Sequence, residues 1–271
     1  MAQHMAERSR LPIGVFDSGV GGLTVLRVLR SMFPHEDFVF IGDNANNPVG
    51  NLPETDINRI ALRIAQRLES LPIKMAVIAC NTFTAVSSKV LRNTVSFPVV
   101  GMCKGVRTAI SISPQKSIAV MATVATINSH QHRAAAKKVD ANVSVLEVPC
   151  PDLAHLVETG HIIDDQVKEP LRTYLQPILT SDADTVVLGC THFPFLKPVM
   201  EQMAEGDIVF VDPSYETANE AKRILTSQHL WNPKRETGHI DLCFTKNIEV
   251  ARELAGQFLL PSEYTLQKII L

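Results

Sequence analysis

The sequence predicts an α/β protein built from two pseudo-symmetric halves with mainly parallel sheets. Three observations carry this. Short apolar runs bounded by turn residues alternate with longer segments of helical period. The runs are nearly continuous in hydrophobicity, as in strands buried on both faces. The succession of runs also occurs twice.

The first run, Ile13–Phe16, leads into a segment where Leu23, Leu26, Leu29 and Phe33 share one helical face. Phe38–Ile41 precedes a second such segment, with Ile57, Ile60, Ile64 and Leu68 in line. The remaining strand-length runs are Met75–Ala79, Pro98–Gly101, Ile118–Met121, Val143–Val148, Thr185–Gly189 and Ile208–Val211. After Asp212 come further helix and strand, including Ile240–Phe244, and a C-terminal tail. Ala76-Val-Ile-Ala-Cys-Asn-Thr-Phe83 parallels Val186-Val-Leu-Gly-Cys-Thr-His-Phe193 at an offset of 110 positions. Ile13-Gly-Val-Phe-Asp-Ser18 parallels Ile118-Ala-Val-Met-Ala-Thr123 at 105, the runs at Phe38 and Val143 repeat at 105, and those at Pro98 and Val209 at 111. Four strands recurring in order, with a cysteine in register, indicate two similar halves.

The 271 residues are 45% hydrophobic and 20% charged with a net charge of −2, which suits one large globular domain or two modest ones. The near-neutral balance argues against a nucleic-acid partner. No apolar run approaches the roughly 18 residues of a membrane span. The polar stretch Met1–Arg10 has no apolar core, so it reads as a leader outside the fold and not as a secretory signal. Five cysteines without a C-x-x-C pair exclude a zinc ribbon or thioredoxin-type site and predict reduced thiols in the cytoplasm.

Cys80 and Cys190 hold equivalent places, each just after a buried-strand pattern and so at the carboxyl edge where open α/β sheets bind ligands. Polar residues follow each, Asn81-Thr82 and Thr191-His192. A single cysteine in such a place reads as a small buried hydrophobe. A duplicated pair reads as chemistry. Two thiols facing one cleft suit inversion at a carbon, one removing a proton while the other delivers one to the opposite face. A free thiol titrates at about 8.5, so one member needs help to ionise. Asp17 and His192 are candidates for that help. Their counterparts under the repeat are Ala122 and Thr82, so the two thiols are tuned differently. Cys103, Cys150 and Cys243 lack this context and read as structural.

Asp17-Ser-Gly-Val-Gly-Gly-Leu-Thr24 is a glycine-rich turn from strand to helix. Its glycines would let the backbone approach a ligand, and the helix N-terminus favours an anion such as a carboxylate. A dinucleotide site is the rival reading, with Asp43 about where a ribose-binding acid lies. Thr24 in place of a third glycine, and the Asp17 carboxylate near any pyrophosphate, count against it. Ser18, Asn81, Thr82, Thr123, Thr126 and Thr191 end strands on the same edge and suit an ammonium and two carboxylates. The polar loop Asp43-Asn-Ala-Asn-Asn-Pro-Val-Gly50 is placed to close over a ligand.

Taken together, Ile13-Gly-Val-Phe-Asp-Ser-Gly-Val-Gly-Gly-Leu-Thr24, Ala79-Cys-Asn-Thr82 and Leu188-Gly-Cys-Thr-His-Phe-Pro194 resemble the glutamate racemases and the wider aspartate/glutamate racemase superfamily. The resemblance covers nearly the whole chain. It implies two α/β domains, residues 11–100 plus 213–271 and residues 101–212, with the active site in the interdomain cleft and no pyridoxal phosphate, metal or other cofactor. By the same resemblance Cys80 handles the α-proton of the D-enantiomer and Cys190 that of the L-enantiomer, assisted by Asp17 and His192. Ser18, Asn81, Thr82 and Thr191 would hold the substrate, with Thr123, Thr126 and the backbone of Val49 and Gly50. The family's role implies D-glutamate for peptidoglycan and a homodimer. The chain departs from the family at its loop, normally Asp-x-Ala-Arg-x-Pro-Tyr-Gly, where Asn46 and Val49 replace arginine and tyrosine. It departs again at Ala122-Thr123, usually Gly-Thr, and at Ser129-His-Gln-His132, usually Ser-x-x-Tyr. These changes concern the pocket, so aspartate or a related acidic amino acid stays open as substrate beside glutamate. A decarboxylase or isomerase using the same sheet edge, and a non-catalytic binding protein on this fold, stay open as well.

Overall fold

In the computed structural model, which describes residues 7–271, the strands form two parallel sheets. In chain order they are β1 (Ile13–Asp17), β2 (Phe38–Gly42), β3 (Met75–Ile78), β4 (Val99–Gly101), β5 (Ser117–Ala122), β6 (Ser144–Pro149), β7 (Thr185–Leu188), β8 (Val209–Val211), β9 (Ile240–Phe244) and β10 (Tyr264–Lys268). One sheet runs β10-β9-β2-β1-β3-β4 and the other β6-β5-β7-β8. Strands β1, β3, β5 and β7 are buried along their full length, as their unbroken apolar runs require. The helices Leu23–Met32 and Glu54–Glu69 turn Leu23, Leu26 and Leu29, and Ile57, Ile60, Ile64 and Leu68, into the core.

The repeat is carried into the pairing itself. β2-β1-β3-β4 and β6-β5-β7-β8 have the same order. Ile13 lies opposite Met75 and Ile118 opposite Thr185, so both offsets seen in the sequence survive as register. The β2/β6 correspondence differs. Phe38 lies opposite Ile13 and Val145 opposite Ile118, which places the equivalent residues 107 apart and not 105. A two-residue slip keeps every side chain on its original face, so an apolar pattern does not register it.

The segment after Asp212 returns to the first sheet, where β9 pairs with β2 and β10 with β9. β10 lies in what the sequence showed only as a tail, because its alternating, half-exposed Tyr-Thr-Leu-Gln-Lys lacks a buried run. Residues 1–6 of the expected leader lie outside the described residues. Its end is part of the fold, for Ser9 is buried and its carbonyl accepts from Lys74 Nζ at 2.7 Å. Lys74, fully buried at the amino end of β3, also pairs with buried Glu36 and donates to the Leu230 carbonyl at 2.9 Å. Among the described residues no helix is long and apolar enough to cross a membrane.

Candidate active site

The carboxyl ends of the two sheets meet. Thr24 Oγ1 donates to the Thr191 carbonyl at 2.9 Å, Thr191 Oγ1 donates to Asp17 Oδ2 at 3.1 Å, and the Thr82 and Thr123 hydroxyls lie 2.9 Å apart. On the far side Ala125 N–H donates to the Gly50 carbonyl at 2.9 Å. These links enclose a small pocket lined from both sheets, and Cys80 and Cys190 both reach it.

Cys80 caps the helix Asn81–Thr94, its Sγ accepting from Phe83 N–H at 3.4 Å. A helix N-terminus offers such a sulfur free N–H groups and a positive dipole end, both favouring thiolate. Burial and the neighbouring Asp17 carboxylate oppose this and push the thiol well above its usual range. The Ser18 hydroxyl lies 3.7 Å from the sulfur. Asp17 ends β1 with no exposure and accepts from Ser18 N–H at 2.6 Å and from Gly22 N–H. Burial raises its pKa to about 6, against the pull of His192.

Cys190 has different company. Its Sγ lies 3.6 Å from His192 Nδ1, and His192 Nε2 lies 2.6 Å from Glu158 Oε1. Burial works against a charge on this imidazole, but the hydrogen bonds to Cys190 and Glu158 outweigh it and raise its pKa well above the ordinary value. A cationic ring beside Cys190 stabilises its thiolate. Glu158 also accepts from Val20 N–H at 2.7 Å, anchoring the glycine-rich turn.

Gly19 and Gly21 of that turn serve packing against the second half and Gly22 packing within the first, not approach to a ligand, which corrects the expectation. A Cβ at Gly19 would lie 1.7 Å from Glu158 Oε1, and one at Gly21 2.5 Å from His192 Nδ1. At Gly22 it would meet the Asp17 Cβ at 2.8 Å. Protein groups fill the space a pyrophosphate would need, so the dinucleotide reading falls on sterics.

Ser18, Val49, Gly50, Asn81, Thr82, Thr123, Thr191 and His192 also line the pocket. Asn81 is buried, and neither its Nδ2 nor its Oδ1 has a partner. An amide left bare in this way costs stability unless a ligand completes it. Asp17 and Thr126 stand behind the wall, Thr126 Oγ1 accepting from Thr123 Oγ1 at 3.0 Å. The loop over the pocket is pinned from beneath, since the Thr245 hydroxyl donates to Asp43 Oδ1 at 2.9 Å and Asn46 Nδ2 to Asp43 Oδ2 at 2.7 Å. Sequence reasoning missed Glu158 and Ala154, and had Asn47 and Pro48 only as part of the loop over the pocket. Nothing in Leu-Val-Glu158 signals a histidine partner; only the need of a buried His192 for an acceptor could have prompted a search.

Cys150 is fully buried, with its sulfur 3.5 Å from the Val148 carbonyl, and Cys243 accepts from Gln267 Nε2 at 3.3 Å. Both stand outside the pocket, as does half-buried Cys103.

Comparison with known proteins gives a consistent result. The family model for Asp/Glu/hydantoin racemases matches residues 26–221. A glutamate racemase of Herpetosiphon aurantiacus is 36% identical over 230 residues, 85% of this chain and 91% of that protein. The crystal structure of a glutamate racemase isoform from Bacillus anthracis superposes with a TM-score of 0.86 at 29% identity, covering 97% of this chain and 98% of that one. The glutamate racemase of Francisella tularensis in complex with D-glutamate gives 0.84 at 28% identity, with 97% of each chain covered. With a duplicated parallel-sheet frame and two cysteines at one pocket already established, the chain belongs to the Asp/Glu/hydantoin racemase family, as a relative of its glutamate racemases.

Proposed function

We propose that this protein is a cofactor-independent racemase that interconverts L- and D-glutamate, with Cys80 and Cys190 as its two acid–base groups. The observation that carries this reading is the presence of both thiols, each two residues past the end of an equivalent strand of the two sheets, in one pocket. In the L-to-D direction the Cys190 thiolate, supported by cationic His192, takes the α-proton, and the Cys80 thiol delivers its own proton to the opposite face of the resulting carbanion. The product leaves with Cys190 protonated and Cys80 ionised, which is the arrangement the D-to-L direction requires. Negative charge that builds on the α-carboxylate in the carbanion needs donors already in place. The bare Asn81 amide supplies them, with the N-terminus of the helix Asn81–Thr94. The Thr82, Thr123 and Thr191 hydroxyls, whose single protons go to Thr123, Thr126 and Asp17, face the pocket as acceptors suited to the ammonium group.

Two-thiol chemistry asks nothing of a cofactor. The relatives named above are glutamate racemases, which favours glutamate over aspartate despite Asn46 and Val49 in the loop. The role that goes with this activity is supply of D-glutamate for peptidoglycan by a cytoplasmic homodimer, its domains being residues 11–100 plus 213–271 and 101–212. Circular dichroism or chiral chromatography of purified protein with L-glutamate and, separately, L-aspartate tests it, with no cofactor added. Conversion of glutamate alone is expected. Conversion of aspartate alone would keep the mechanism and replace the substrate. Absence of racemisation and of α-hydrogen exchange in deuterated water with either amino acid would overturn the enzyme reading.

A further inference from the structure

Asn47 sits in the pocket wall, and the duplicated frame does not explain it. Its Nδ2 donates to the Ser18 carbonyl at 3.2 Å and to Ser18 Oγ at 3.1 Å. A main-chain carbonyl only accepts, so the amide is fixed with Nδ2 toward Ser18 and Oδ1 turned away. That Oδ1 is buried and has no donor. An amide held at one end and bare at the other does little for stability. Its effect on Ser18 is the better explanation.

Asp17 Oδ1 already takes the Ser18 N–H at 2.6 Å and also accepts from the Ser18 hydroxyl at 3.3 Å, while Cys80 Sγ lies 3.7 Å from the same hydroxyl and competes for its proton. With Asn47 donating into Oγ, the single hydroxyl proton is free to be passed onward. Between a carboxylate oxygen already served by a short bond and an ionised sulfur with one weak donor, the sulfur has the greater need.

We propose that Asn47 is a positioning residue that, through the Ser18 hydroxyl, stabilises the ionised form of Cys80. The proposal rests on the two-thiol reading of the pocket. It supplies the Cys80 side with help of its own, where Cys190 has His192. Burial and Asp17 both oppose ionisation of Cys80, so that side has the greater need of a donor.

The test is alkylation by iodoacetamide from about pH 6 to pH 10, a range that spans thiol ionisation, with each thiol followed separately by mass spectrometry. Wild type, Asn47→Ala and Asn47→Asp are compared through the ratio of Cys80 to Cys190 modification, which cancels any opening of the pocket common to both. The ratio is expected to fall about five- to tenfold in Asn47→Ala, as for loss of one hydrogen bond. It should fall further in Asn47→Asp, whose carboxylate would take the Ser18 proton for itself. An unchanged ratio in both variants overturns the proposal. Equal slowing at both thiols also overturns it, because a merely structural loop residue would give that result. The readout needs no turnover, so a wild-type protein inactive on glutamate would count against the function and not against this role for Asn47.

Discussion

Cys80 and Cys190 stand just past the ends of equivalent strands in opposite electrostatic surroundings. Cys80 has a helix N-terminus, a serine hydroxyl and the Asp17 carboxylate; Cys190 has an imidazole held at its far side by Glu158. Duplication explains the common frame. It does not extend to the helpers, and the proposed reaction does not require that it should. L- and D-glutamate have equal free energy in water, so kcat/KM must be the same in both directions however unlike the two sides are. The asymmetry can appear only in the separate kcat and KM values and in their pH dependence. In the proposed cycle the enzyme form that takes the L-enantiomer has Cys190 as its base and Cys80 as its acid. It must move one proton before it can accept the D-enantiomer.

The largest test of this comparison removes either thiol. Cys80→Ser and Cys190→Ser should each lower racemisation by about 10³-fold, within the range for loss of a general acid or base, while far-ultraviolet circular dichroism stays that of the folded protein. Wild-type turnover in either variant would take that cysteine out of the mechanism. A smaller effect is expected from Glu158→Gln, which leaves the His192 ring in place without its anionic partner. Loss of one charged hydrogen bond should cost about 10- to 100-fold in kcat/KM, equally in both directions. The alkaline limb of the pH–rate profile should move to lower pH, because His192 then loses its proton sooner. An unmoved limb would separate the charge of His192 from the activity.

The smallest effect concerns stability on the Cys80 side. The Asp17 pKa rises on folding from 3.8 to about 6. As pH climbs through that window the unfolded chain gives up this proton first, so the native state binds more protons and loses stability. Asp17→Asn should therefore gain about 3 kcal/mol on wild type between about pH 3.5 and pH 7 in chemical denaturation. A difference that does not change with pH would return Asp17 to an ordinary carboxylate.

Much of this was legible in the sequence because it recurs. Four strands in the same order and a cysteine in register twice are hard to produce by accident, and both cysteines reach the pocket. The unlike helpers were legible only in part. Asp17 and His192 lie within two residues of strand ends and thiols, whereas Glu158 arrives from a helix that the chain places 34 positions before His192. Asn47 was visible as a loop residue, but its partner Ser18 lies 29 positions away, and nothing local announces the contact. The glycine-rich turn misled for a similar reason. Its need for bare backbone was plain, yet what fills the space, His192 and Glu158, comes from the other half.

The second sheet is one uninterrupted stretch, β5 to β8, whereas the first begins at Ile13 and is completed only by β9 and β10. During synthesis at about 5–20 residues per second, roughly 10 to 40 seconds pass between the translation of Gly42 and that of Phe244. Through that interval β2 has β1 on one side and nothing on the other, its backbone donors and acceptors open along Phe38–Gly42. The second sheet can meanwhile assemble from chain already made. A nascent polypeptide of this design exposes its stickiest edge longest at the strand laid down second, and there newly made copies can pair wrongly or a ribosome-associated chaperone can find its grip.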